Sequence, residues 1–86
     1  MTYRLSRHAE SEMERRQIPI GWLNSLLAAP EQRIQQPDDT EVLQSRFATE
    51  SGKMYLLRAV VTTGKEAAVV VIVYRTSKIE KYWRPK

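Results

Sequence analysis

The 86-residue chain contains no cysteine. That excludes a disulfide framework and any thiolate chemistry, and it fits a reducing, cytoplasmic setting. Glycine is scarce, and the three glycines never gather into a run that could cradle phosphates, so a Gly-rich nucleotide loop is excluded. A single histidine, His8, cannot anchor a zinc site without a ligand set made mostly of carboxylates. No metal and no other cofactor is expected. Long apolar runs are also missing. The longest, AAVVVIVY over 67–74, is far too short to cross a bilayer as a helix, and MTYRLSRHAE lacks the apolar stretch of a secretory leader. The expectation is one cytoplasmic domain over residues 1–86 with no membrane partner.

Positive charge, by contrast, is in surplus. The formal net charge is +4, and the last twelve residues hold five basic groups (Arg75, Lys78, Lys81, Arg84, Lys86) against the single acid Glu80. The whole excess therefore sits in one terminal segment. Such a patch seeks an acidic partner, either nucleic acid or an acidic protein.

The periodicity changes once along the chain. Ser6 is a good N-cap, and Leu5, Ala9 and Met13 recur at helical spacing, which predicts a helix over 6–17. Ile18-Pro19 interrupts it, and a second helix is expected over 19–29 with Ile20, Leu23, Leu26 and Leu27 as its apolar stripe. From there the period is two. Strands are expected at 31–36, 41–50, 53–62 and 67–76, separated by the turn signals PDDT, SGK and TGKE. Ser77 to Glu80 matches a capping box, so either a short terminal turn or helix over 77–83 or an extension of the last strand is expected within the basic tail 77–86. Helices first and strands afterwards predict an α+β domain, with two N-terminal helices packed on a four-stranded antiparallel sheet.

Few residues carry possible chemistry. His8 carries an imidazole, which can take a proton from a ribose hydroxyl or give one to a leaving oxygen, with Arg4, Arg7 and Arg15 nearby in sequence or around the helix. The alternative is a helix-start residue bonded to backbone or to Glu12. Arg58 lies among apolar residues on a mid-sheet strand, where it either snorkels to an edge or binds phosphate, and Arg46 on the neighbouring strand could share its face. In the segment from Tyr74 to Arg84, aromatics alternate with cations. Tyr74, Arg75, Lys78, Tyr82 and Arg84 could stack on unpaired bases and hold phosphates, or could form a solvated tail with Tyr82 and Trp83 packed on the sheet.

The opening HAESEMERRQI (8–18) resembles the H-A-x-x-x-M-x-x-R-x-I opening of the domain-of-unknown-function family numbered 4258. His8, Ala9, Met13, Arg16 and Ile18 match it. That family often has glycine where Gln17 stands and serine where Pro19 stands. The ending VYRTSKIEKYW (73–83) is similar to its C-terminal strand and tail. The resemblance implies a RelE/ParE-like layout, a bacterial toxin with a cognate antitoxin protein, and metal-free RNA cleavage through the ribose 2′-hydroxyl. His8 and Arg16 are the positions it carries over. The expectation is an endoribonuclease acting on RNA, with His8 as acid or base, Arg58 with Lys78 or Arg84 stabilising the phosphorane, and Arg16, Arg46, Tyr74, Arg75 and Tyr82 on the substrate. The rival reading is a non-catalytic, ParE-like binder, or a small interaction domain. Convergence of His8 with a strand arginine in one cleft would separate them.

Overall fold

Ser6 holds the first corner of the molecule together. The computed structural model describes residues 3–62 and 68–85. Ser6 follows a three-residue strand, β1 (Tyr3–Leu5), and its hydroxyl accepts from the Ala9 amide at 3.0 Å to cap α1 (Arg7–Arg15). The same hydroxyl donates to the Val71 carbonyl at 2.8 Å, while the Ser6 amide donates to the Val70 carbonyl at 2.9 Å. One serine thus ties the start of a helix to a strand far away in sequence.

α1 turns Ala9 and Met13 inward and ends in a full Schellman motif. The Ile18 amide donates to the Met13 carbonyl at 3.0 Å and the Gln17 amide to the Glu14 carbonyl at 3.2 Å. This closure places Gln17 in the left-handed region at φ 53°, a position that suits glycine. Ile18 is buried beside Met13 in the core, the apolar contact that normally accompanies the motif. After extended Pro19, α2 (Ile20–Ala28) buries Leu23 and Leu26. Ile20 departs from the expected stripe. It is 60% exposed, since it begins the helix beyond the reach of the sheet.

The strands that follow are β2 (Gln32–Gln35), β3 (Thr40–Ala48), β4 (Met54–Thr62) and β5 (Ala68–Thr76), and a short α3 (Ile79–Tyr82) follows them. β2 to β5 pair antiparallel in chain order, and β1 adds to the outer edge of β5 in parallel, giving the order β1-β5-β4-β3-β2. The expected four-stranded antiparallel sheet with two helices is therefore corrected to a five-stranded mixed sheet with three. Three residues ahead of a helix cap show no alternation to read, yet β5 needs a partner for its second edge, and β1 supplies it. The turn read at 63–66, the first residue of the strand expected from 67, and Lys86 of the tail lie outside the described residues.

The alternation of β4 divides the molecule into two sides. Leu57, Ala59 and Val61 meet Leu43, Val70, Val73 and the two long helices in one core. Each wholly buried leucine in it, such as Leu23, Leu26, Leu43 and Leu57, contributes roughly 1.5–3 kcal/mol. Leu56, Arg58 and Val60 point to the other side. A bulge between Val60 and Val61 leaves Val71 unpaired across the β4–β5 ladder, and its carbonyl is the one Ser6 binds.

Gln17 supplies a direct test. Gln17→Gly relieves a left-handed side-chain penalty of about 1 kcal/mol, so the variant should melt roughly 4–8 °C above the parent by circular dichroism. A lower melting temperature would mean that the junction does not hold this conformation.

Candidate nucleic-acid interface

The side of the sheet away from α1 and α2 is organised by one buried amide. Gln44 sits in mid-β3 with no exposed surface. Its Oε1 accepts from Arg58 Nε at 2.9 Å, and its Nε2 donates to Gln32 Oε1 at 2.6 Å and to the Tyr82 carbonyl at 3.1 Å. Arg58, half-buried opposite Gln44 on β4, also donates from Nη1 to the Tyr74 hydroxyl at 2.5 Å. Its guanidinium lies 4.2 Å from the Tyr82 ring centre and 5.7 Å from that of Tyr74, and those two rings meet edge to face. Among the described residues no carboxylate pairs with Arg58. Its charge is held by neutral acceptors and π faces alone.

The tail completes this side. α3 carries Tyr82 over Arg58. Beyond it, the Arg84 amide donates to Gln32 Oε1 at 3.1 Å and the Arg84 carbonyl accepts from Gln32 Nε2 at 2.7 Å. A glutamine side chain here receives the tail backbone much as a neighbouring strand would. Trp83 lies 4.1 Å from the Arg46 guanidinium, which is already paired with Glu31 at 3.0 Å. The expected capping box does not form. Lys78, not Ser77, occupies the N-cap of α3, and its ammonium has no acceptor with which to cap; its amide donates to Thr76 Oγ1 at 3.0 Å.

The residues singled out from the sequence are thus distributed over two sides. Arg46, Arg58, Tyr74, Tyr82 and the Arg84 backbone meet on the side away from the long helices. His8 is exposed in the helix layer, on the opposite side of the sheet from Arg58. Arg16 is exposed on the same helix, and its Nε donates to Glu12 at 3.2 Å, while Arg15 takes the other Glu12 oxygen at 3.0 Å. Those hydrogen bonds, Arg15 first, pull the Glu12 carboxyl from 4.5 down to about 2. Arg75 points to the helix side of β5, and Lys78 lies just past the strand end.

At that end of β4 and β5, sequence reading named Arg75, Lys78 and Lys81 but not Lys53 or the ring between Lys53 and Arg75. Lys78 and Lys81 line a separate hollow with Met54, and Lys81 Nζ lies 5.4 Å from the Tyr82 ring centre; none of the four cations has an ion pair among the described residues. Tyr55 is flanked by two of them, with Lys53 Nζ at 5.2 Å and the Arg75 guanidinium at 4.8 Å from its ring centre. Trp22 stacks on Phe47 at 5.1 Å with planes 12° apart and meets Tyr55 at 6.5 Å. A cleft of about 300 Å³ opens beside them, lined by Pro19, Trp22, Ala48, Thr49, Glu50 and Arg75. The alternation of β4 puts Tyr55 on the face of Leu57, which the structure turns toward the helices. Nothing in the local sequence brings Trp22 of α2 to it.

An α+β domain with a basic rim is what this architecture defines. Residues 5–77 match the family described as Domain of unknown function (DUF4258), and the chain belongs to that family. No curated protein and no solved structure matches it. The family match stops at Ser77, so the tail that closes over Arg58 follows the matched stretch.

Two outcomes are expected. Gln44→Ala strands the Arg58 Nε and the Tyr82 carbonyl together, which should cost roughly 3 kcal/mol in urea unfolding and speed amide exchange of Arg84. A loss below 1 kcal/mol would mean that water replaces the carboxamide at about equal cost. Glu12, with its folded pKa depressed, stabilises the chain above about 4.5, and that contribution disappears as pH falls through about 2. Glu12→Gln should therefore flatten the acid limb of a stability–pH curve across that window; an unchanged limb would assign it to other carboxylates.

Proposed function

We propose that this protein binds single-stranded RNA along the rim of the sheet where Lys53, Tyr55 and Arg75 meet, with Lys78 and Lys81 just beyond the end of β5. The observation that carries this reading is a tyrosine ring flanked by two cations, neither of them ion-paired, beside a stacked tryptophan and phenylalanine. Unpaired bases stack on such rings while lysine and arginine hold the backbone, and a duplex offers no free base faces for that contact. The arginines that do form ion pairs, Arg15, Arg16, Arg33 and Arg46, lie elsewhere and have spent their charge on carboxylates.

The toxin-type ribonuclease implied by the family resemblance asks for more than binding. It asks for a proton carrier and a phosphate-stabilising cation at one scissile bond. His8 and Arg58 lie on opposite sides of the sheet, and Arg58 is engaged with Gln44, Tyr74 and Tyr82. Binding is therefore the reading we advance, with RNA as the acidic partner.

Fluorescence anisotropy of a labelled single-stranded RNA oligomer, followed across a salt series, checks it. Lys53→Ala and Lys78→Ala should each weaken binding and lower the log–log salt slope by about 0.7. Slopes that stay at the parent value would remove the rim from the contact.

A further inference from the structure

The rim cleft has a chemistry that phosphate contact alone does not call for. Glu50 lines it as a carboxylate with no ion pair among the described residues, although Arg75 lines the same cleft. An unneutralised acid repels a phosphate backbone, so in a surface that only gripped phosphates it would be a liability. Glu50 is also held in place. The Thr49 amide donates to the Lys53 carbonyl at 2.9 Å, and the Gly52 amide donates to the Thr49 carbonyl at 2.9 Å. The Thr49 hydroxyl accepts from the Lys53 amide at 3.2 Å and pairs with the Ser51 hydroxyl at 2.9 Å. Gly52, at φ 89°, lets this tight turn close. Glu50 stands at its apex on a braced backbone.

A carboxylate, a guanidinium and an indole around about 300 Å³ match one base in particular. Guanine alone presents two adjacent donors, N1–H and the N2 amine, on one edge and two adjacent acceptors, O6 and N7, on another. Adenine, cytosine and uracil each set at least one acceptor against a bidentate carboxylate. Resting on the RNA-binding reading above, we infer that this cleft is a guanine-recognition subsite for an unpaired nucleotide. Glu50 accepts from N1–H and the N2 amine, Arg75 donates to O6 and N7, and Trp22, backed by Phe47, forms the apolar wall. The cations Lys53 and Lys78 then hold the flanking phosphates. Specificity and affinity are thereby divided between the cleft and the rim.

The test uses oligouridine carrying one central guanosine, adenosine or inosine, titrated against the full chain by anisotropy. Guanosine should bind roughly 5- to 100-fold more tightly than adenosine, and inosine, which lacks the N2 amine, should fall between them. Glu50→Gln replaces an exposed turn side chain by one of the same shape, so the fold should be kept. It presents an amide donor to one of the two guanine donors and should erase the discrimination. Arg75→Ala should lower the affinity for guanosine more than for adenosine. If all three oligomers bind equally, or Glu50→Gln shifts them all by one factor, the guanine subsite is overturned and RNA binding stands. If none binds, the RNA-binding reading fails and the subsite fails with it.

Discussion

A carboxamide without access to water must find its partners inside the protein, and Gln44 dictates how one whole side of this sheet is built. Left unsatisfied, its donor and acceptor would each cost about 1–3 kcal/mol, a large part of the stability of a chain of this size. The partners it recruits span the molecule: Gln32 on the edge strand, Arg58 on the neighbouring strand, and the backbone of the tail at Tyr82. Each in turn fixes another group. Gln32 receives Arg84, and Arg58 orients Tyr74 and takes Tyr82 over its guanidinium. The tail is ordered because it supplies the last acceptor. Its basic composition is incidental to that docking, since the bonds that seat it run through backbone atoms and uncharged side chains.

This arrangement explains why the charges of the chain have unequal roles. Arg58 has the surroundings expected of a phosphate-binding residue, namely aromatic faces and no carboxylate, but its Nε and Nη1 already donate to Gln44 and Tyr74, and Tyr82 lies over it. Its charge is used to close the sheet. Arg46 is matched by Glu31, whose carboxyl is held below its usual range first by hydrogen bonds from the Arg46 side chain and then by the Arg46 amide. Among the cations left without a carboxylate are those of the rim, where Lys53 and Arg75 lie against the ring of Tyr55 and Lys78 has solvent around it.

The periodic parts of the chain were legible because local spacing determined them. The stripe of Ala9 and Met13, the break at Ile18-Pro19 and the two faces of 54–62 follow from helix and strand geometry. The parallel strand Tyr3–Leu5 was not legible, for it exists only because the far edge of a strand some 65 residues later offers it a ladder. The candidate site was read in the same uneven way. Arg58, Arg46 and Tyr74 share a face as alternation allows, but the sequence could not say that the tail would cover them. Gln44 drew no attention, because a glutamine in a strand is read as a solvent-facing residue; only burial gives it importance. Trp22 and Tyr55 were assigned to separate elements, and their meeting is a property of helix–sheet packing.

The two sides of the sheet leave little room for a mixed site. On one, α1 and α2 cover the apolar residues of β3, β4 and β5. On the other, the tail and the Gln44 network use up the polar groups. Only where the strands end do both layers thin out, so that a ring from the helix layer, a cation from β5 and a carboxylate from the β3–β4 turn line one cleft. The turn there is closed by its own hydrogen bonds and does not depend on the tail. A ligand at the rim therefore meets groups positioned by the helix-side core, while the tail is seated by Gln44, Gln32 and the cations under its rings. His8, in the helix layer and exposed, contributes to neither arrangement through any bond among the described residues.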